Sequence, residues 1–230
     1  MHFTKMHGAG NDYIYVNCFG GEPADPSALA VRLSDRHKGI GADGLVLICK
    51  SGVADAKMRM FNADGSEGKM CGNAIRCVGK YLYDRGMTEK RDLSIETLSG
   101  VKQLRLFVEE GKVTSARVDM GAAVFDPARI PVLLPGSAVI GERVHIAGGV
   151  HTITCVSMGN PHCVVFEDPD EVDLEKLGPL FETDPIFPER VNTEFVKVVG
   201  RNVLKMRVWE RGSGETMACG TGACAAVAAA

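Results

Sequence analysis

"MCGNAIRCVGKYL" at residues 70–82 and "ACGTGACAAVAAA" at 218–230 place the same Cys-Gly step at the head of a small, apolar run. Sliding the chain by 148 positions aligns the two. Met58 then falls on Met206, Arg59 on Arg207, Phe61 on Trp209, Glu67 on Glu215, Cys71 on Cys219 and Gly72 on Gly220, with no gap from 58 to 82. Upstream the offset becomes 149. "GNDYIYV" at 10–16 lies over "GNPHCVV" at 159–165, and Asn11 over Asn160. A single Cys-Gly pair recurs by chance, but an ordered series through strand, loop, cysteine and helix marks an internal repeat.

The repeat predicts an α/β chain of the α+β type with two similar, pseudo-two-fold-related halves. Residues 1–118 carry Cys71 and residues 119–230 carry Cys219. Each half ends a strand, turns through a Gly-rich loop and starts a helix at Cys-Gly. Such symmetry brings the two loops face to face, with the active site in the cleft between the halves.

Composition limits what this fold serves. A chain of 230 residues suits one large domain or two small ones. A net charge of −3 gives no sign of a nucleic-acid or membrane-surface partner. The longest apolar run, "ACAAVAAA", is too short to span a bilayer, and "MHFTKMHGAG" lacks the apolar core of a signal peptide. The eight cysteines are therefore expected as reduced thiols in a cytoplasm. No C-x-x-C pair occurs, which argues against a zinc ribbon or a thioredoxin-type site, and no metal site is expected.

Pattern and punctuation place the elements. Strands are predicted at 3–7, 13–18, 45–49, 56–61, 93–97, 101–109 and 112–119, then near 143–147, 150–157, 163–166, 194–199 and 203–210. Asp25 and Pro26 read as an N-cap and N1 opening a helix to about Arg36. A second helix runs from Gly72 to about Tyr83, with Ile75, Val78, Gly79 and Leu82 on one face. "NADGSEG" reads as a loop, residues 121–142 as a Pro- and Gly-rich crossing between halves, and "VDLEKLGPLFE" as a short helix broken at Gly178-Pro179. The second half stops inside its helix, with no counterpart to the strands after Leu82. We therefore expect a longer protein with a further C-terminal segment.

A cysteine at a helix start sits among unpaired N–H groups at the positive end of the dipole. That position lowers a thiol from about pKa 8.5 toward neutrality. The same N–H groups hold a carboxylate. Two such ends facing each other place one sulfur on each side of an amino acid's α-carbon. One sulfur removes the α-proton and the other returns it from the opposite face. The residues thus point to a two-base racemase or epimerase that needs no cofactor.

The chain also resembles the diaminopimelate epimerase family, through "KMHGAGNDYIYVN", "GIGADG", "FNADGSE", "MCGNAIRC", "MGNPHCVVF", "FPERVNTEFV", "WERGSGET" and "ACGTGAC", which run from residue 5 to 225. The resemblance implies two halves, each a mostly antiparallel sheet around a central helix. It implies interconversion of LL- and meso-2,6-diaminoheptanedioate, in lysine and peptidoglycan precursor synthesis, by a homodimer. Cys71 and Cys219 would be the catalytic pair. Gly72, Asn73, Gly220 and Thr221 would supply helix-start groups around the reacting carboxylate. Asn11, Asn62, Asn160 and Asn192 would contact substrate, Glu210 and Arg211 would form the family's Glu-Arg pair, and His162 and Glu210 would tune the cysteines. Gly44 departs from members that carry glutamine there, and has no side chain to offer.

Bland readings stand beside these. Each cysteine could be a small buried residue, each asparagine a turn cap, His162 a satisfied structural histidine and Arg211 a solvated loop residue. Glu67 and Glu215 fit helix-entry carboxylates favoured by the dipole. At the level of function, a proline-racemase-type enzyme, a thiol redox sensor or a non-catalytic amino-acid-binding module are the alternatives.

Overall fold

Alternating apolar residues and turn-forming glycines sort the chain into two sheets, each with its own helices. The computed structural model describes residues Met1–Ala230 and divides them into two units, Met1–Asp119 and Met120–Ala230.

The first unit holds β1 (Thr4–Gly8), β2 (Asn11–Asn17), β3 (Gly44–Cys49), β4 (Ala56–Asn62), β5 (Glu67–Gly68), β6 (Asp92–Thr97), β7 (Gly100–Glu109) and β8 (Lys112–Val118), with α1 (Pro26–Ser34) and α2 (Gly72–Asp84). The sheet runs β1-β2-β3-β4-β6-β7-β8, with β5 paired to β4. Only β2–β3 and β4–β6 are parallel. The strand "GLVLIC" of β3 does not alternate because both its faces are covered. Leu45 and Leu47 meet Ala30 of α1, while Val46 and Ile48 join Ile75, Val78 and Leu82 of α2. Burying a side chain such as Ile75 contributes about 1.5–3 kcal/mol, more than the cap of α1, where Asp25 accepts from Ala28 N at 2.9 Å, contributes at about 1 kcal/mol.

The second unit holds β9 (Glu142–Ile146), β10 (Gly149–Ser157), β11 (Pro161–Val165), β12 (Asn192–Gly200), β13 (Val203–Glu210) and β14 (Gly214–Thr216), with α3 (Leu174–Glu182) and α4 (Gly220–Ala229). The sheet order is β14-β13-β12-β11-β10-β9, with β11–β12 the parallel pair. The run β10-β11-β12-β13-β14 repeats the pairing senses of β1-β2-β3-β4-β5. One sheet face packs Val156, Val164 and Val196 against Ala225 and Ala226 of α4. The other packs Ile153, Cys155 and Phe195 with Phe181 of α3.

Three expectations change. Helix α3 continues through Gly178-Pro179 instead of breaking. A Cβ on Gly178 would lie 2.3 Å from the Trp209 ring, so the glycine admits the indole. Pro179 forfeits one N–H bond in a helix held by the buried Leu174 and Phe181. Residues 121–142 are not a bare crossing. Val124 and Ser157 exchange backbone bonds of 3.0 and 2.8 Å, and Ile130, Val132 and Val139 enter the second core. The loop "NADGSEG" closes as a hairpin, with Glu67 opposite Phe61. No helix is long and apolar enough to cross a membrane.

Candidate active site

In the first unit, Cys71 is the N-cap of α2, extended at φ −136° and ψ 118°. Its Sγ accepts from Ala74 N at 3.4 Å and donates to Asn11 Oδ1 at 3.6 Å. Gly72 is the first helical residue, and the buried Asn73 accepts a bond from Arg76 through Oδ1. A Cβ on Gly8 would lie 2.8 Å from the Asn73 carbonyl, so the glycine lets β1 close onto this helix start. Asn11 is itself oriented, donating Nδ2 to Asp43 Oδ2 at 2.7 Å.

Asp43 belongs to a cluster that the sequence reading missed. Arg36 Nη2 bonds Asp12 Oδ1 at 2.8 Å and Asp43 Oδ1 at 3.0 Å, and Lys5 reaches Asp12 at 3.0 Å. Burial works to raise the Asp12 carboxyl, but Arg36 and Lys5 outweigh it and hold it at about 2. Asn62 ends β4, exposed, with Nδ2 on Ser66 Oγ at 3.0 Å. Gly44 is structural: a Cβ there would lie 2.1 Å from the Phe61 carbonyl oxygen.

In the second unit, Cys219 is the N-cap of α4, with φ −115° and ψ 114°, and Gly220 is the first helical residue. Burial first, then the nearby Glu210 and Glu194 carboxylates, push the Cys219 thiol well above its ordinary range. This overturns the expected lowering by the helix dipole. A dipole contributes about 0.3–1 kcal/mol, whereas loss of solvent shifts a buried group by up to about 3–5 pKa units.

A hydrogen-bonded series leads away from this sulfur. Cys219 Sγ lies 3.4 Å from Thr221 Oγ1. Thr221 Oγ1 accepts from Asn160 Nδ2 at 3.2 Å. Asn160 Oδ1 lies 3.1 Å from His162 Nε2, and His162 Nδ1 lies 2.7 Å from Glu194 Oε1. His162 and Glu194 are both wholly buried. Within "FPERVNTEFV", Glu194 reads only as a carboxylate in an apolar strand.

Arg211 is exposed, and its Nη1 donates to the Glu189 carbonyl at 2.8 Å. Asn192 is buried and committed to backbone at both ends, accepting from Arg211 N at 2.9 Å and donating to the Pro161 carbonyl at 2.7 Å. Glu182, also missed, accepts from Trp209 Nε1 at 2.7 Å and from Gly212 N at 3.0 Å, and so anchors the turn that carries Arg211. Glu210 accepts from the Thr216 hydroxyl. Glu67 and Glu215 are structural, as expected, but through ion pairs with Arg59 and Arg207 and not through a helix dipole. No three His, Cys, Asp or Glu side chains converge as a metal-holding group.

The sequence model of the family described as diaminopimelate epimerase matches residues 3–125 and 154–230. A diaminopimelate epimerase of Acetivibrio thermocellus is 58% identical over 230 residues, covering 100% of this chain and 82% of that protein. One from Methanococcus maripaludis is 55% identical, covering 100% of this chain and 83% of that protein. Among solved structures, a hydroxyproline epimerase from Agrobacterium vitis with bound trans-4-hydroxy-L-proline gives a TM-score of 0.67 at 16% identity, covering 99% of this chain and 75% of the other. A PhzF-family phenazine biosynthesis protein from Bacillus anthracis gives 0.63 at 20% identity, covering 99% and 77%. These two share the fold.

Proposed function

The chain belongs to the diaminopimelate epimerase family, and from that premise we propose that it interconverts LL- and meso-2,6-diaminoheptanedioate by proton transfer between two sulfurs. One observation carries the reading. Cys71 and Cys219 occupy the same place in the same repeated unit, each as the N-cap of a helix that begins with glycine.

The helix-start N–H groups of Gly72-Asn73 and Gly220-Thr221 receive the carboxylate of the reacting centre. One sulfur, as thiolate, takes the α-proton. The C–H pair moves into the carboxylate as an enolate-like anion, which the same N–H groups stabilise. The other sulfur breaks its S–H bond and delivers that proton to the opposite face of the carbon. The stereocentre inverts, and the two sulfurs exchange protonation states. Cys219, buried beside two carboxylates, enters as the proton donor, and Cys71, which as a thiol donates to Asn11 Oδ1 and as a thiolate keeps the Ala74 N–H, enters as the base. Asn11 and Asn160 orient the reacting end. Asn62 and Arg211 serve the distant amino-carboxylate end, where the planar Arg211 fork suits a carboxylate and Asn192 holds the Arg211 backbone in place. A cytoplasmic setting, in which thiols stay reduced, and a homodimer complete the proposal.

Incubation with LL-diaminopimelate in deuterated water, followed by NMR, tests it. Formation of the meso isomer with deuterium at the inverted carbon is expected. A redox sensor or a binding module would give no α-hydrogen exchange, and that result would overturn the reading.

A further inference from the structure

Glu194 is a wholly buried carboxylate that the proton-transfer scheme above does not use. Oε1 faces His162 Nδ1 at 2.7 Å, and Oε2 has no hydrogen-bond partner within the protein. A Cβ on Gly222 would lie 2.5 Å from Oε1, so the first turn of α4 closes directly over this carboxylate. Burying an ionisable group with one oxygen unsatisfied is costly. The fold accepts that cost at a single place, one helical turn from Cys219.

The placement of the Asn160 amide sets the donor directions along the series. Asn160 Nδ2 donates to Thr221, so Asn160 Oδ1 is the atom facing His162. An amide oxygen only accepts, and His162 Nε2 must therefore carry a proton. A further proton then lies between Nδ1 and Glu194 Oε1, and this buried contact locks the ring with Nε2 turned to Asn160. Thr221 Oγ1 accepts from Asn160, and once Cys219 has lost its proton the hydroxyl can turn its own O–H to the sulfur, 3.4 Å away. With the Asn160 amide so placed, every donor in the line can point toward a deprotonated sulfur. A reversed His162 tautomer would reverse Asn160 and then Thr221, turning the hydroxyl hydrogen away from Sγ.

We propose that Glu194 is a positioning residue for Cys219: by fixing His162 it orients Asn160 and Thr221 so that a hydroxyl donor meets the sulfur when Cys219 gives up its proton. The inference rests on the two-sulfur reading. It adds a group that makes the Cys219 thiolate accessible during turnover, where burial and two carboxylates disfavour it at rest. The titratable groups toward this end of α4 are His162 from β11, Glu194 from β12 and Glu210 from β13, while β10 offers the apolar Val156.

The test compares wild type with Glu194→Leu, Glu194→Gln, Thr221→Val and the double variant Glu194→Leu/Thr221→Val, by α-hydrogen exchange on each isomer across pH. Glu194→Leu should lower kcat about ten- to a hundredfold with a smaller change in KM, and should move the pH limb that reports Cys219. Glu194→Gln, whose amide can still donate to Nδ1, should retain most of kcat. The double variant should be no worse than Glu194→Leu, because both changes break one line. An unchanged pH profile for folded Glu194→Leu, or losses that multiply in the double variant, would overturn the inference. If Glu194→Leu does not fold, the nitrogen spectrum of ¹⁵N-histidine-labelled wild type decides. Nε2 of His162 must be protonated through the working pH range, and an unprotonated Nε2 overturns the assignment. Wild type that exchanges no α-hydrogen would instead sink the two-sulfur reading.

Discussion

Arg207 donates Nε and Nη2 to the two carboxylate oxygens of Glu215, at 2.8 and 2.9 Å, and clips β14 to β13. Arg59 holds Glu67 in the same two-pronged way at 2.7 and 2.9 Å, clipping β5 to β4. The repeat seen in the sequence therefore preserves an ion pair as well as a cysteine. In each half this clip folds the hairpin that leads into the cysteine-capped helix.

Both clips are partly solvated, so each is expected to stabilise by about 1 kcal/mol or less. The arginine bonds hold the Glu67 and Glu215 carboxyls below their ordinary range. A lowered folded pKa means stability that is present above the ordinary carboxylate range and lost as pH falls through the folded value. Glu215→Gln should lower Tm by a few degrees at neutral pH (roughly 2–4 °C per kcal/mol for a chain of this size). Melting curves of variant and wild type should converge in acid. A Tm difference that persists undiminished in acid would contradict this account.

Cys71→Ala and Cys219→Ala should each remove epimerisation by at least about a thousandfold while leaving circular dichroism unchanged. The two losses should not add, because the sulfurs act in one step. Near-wild-type turnover in either single variant would refute the two-sulfur scheme.

The raised Cys219 thiol predicts slow alkylation by iodoacetamide at neutral pH without substrate, since the thiolate is the nucleophile. Glu210→Gln removes a neighbouring negative charge and should speed that alkylation several-fold. Burial, the larger cause, is untouched, so the rate should stay below that of an exposed cysteine. Peptide mapping by mass spectrometry gives the rates.

Glu182 ties Trp209 and Gly212 together behind Arg211. Glu182→Gln keeps an oxygen acceptor but loses its charge, and should raise KM for diaminopimelate more than it lowers kcat. Trp209 is the only tryptophan of the chain, so its fluorescence reports the rearrangement directly. An unmoved emission spectrum together with a raised KM would place the effect elsewhere.

Much of this was legible in the sequence. Strand alternation, the Asp25-Pro26 cap and the Cys-Gly repeat gave the strand and helix content of both units, because each is a local pattern or a comparison of the chain with itself. Glu194 and Glu182 were not legible. In sequence each is an ordinary carboxylate in an amphipathic element, and only long-range packing against His162, Trp209 and Gly222 makes them special. Gly178-Pro179 misled for the same reason: the glycine answers to an indole 31 positions away, not to its own helix. Asn192 stands within a family motif, yet both ends of its amide serve backbone groups on other segments, which no local window reveals.

The two N-cap sulfurs began as copies of one motif and no longer share a setting. Cys71 Sγ accepts the Ala74 amide at 3.4 Å, while the Cys219 thiol is buried and raised by the nearby Glu210 and Glu194 carboxylates. On the two-sulfur scheme this inequality cannot displace the balance between isomers, which belongs to the isomers alone. It acts instead on isotope bookkeeping. The resting enzyme, with one sulfur protonated and the other not, is primed for one isomer and must first relay a proton to meet the other. In deuterated water the two directions should therefore acquire label with unequal lags, and a single catalyst would carry a memory of its last turnover.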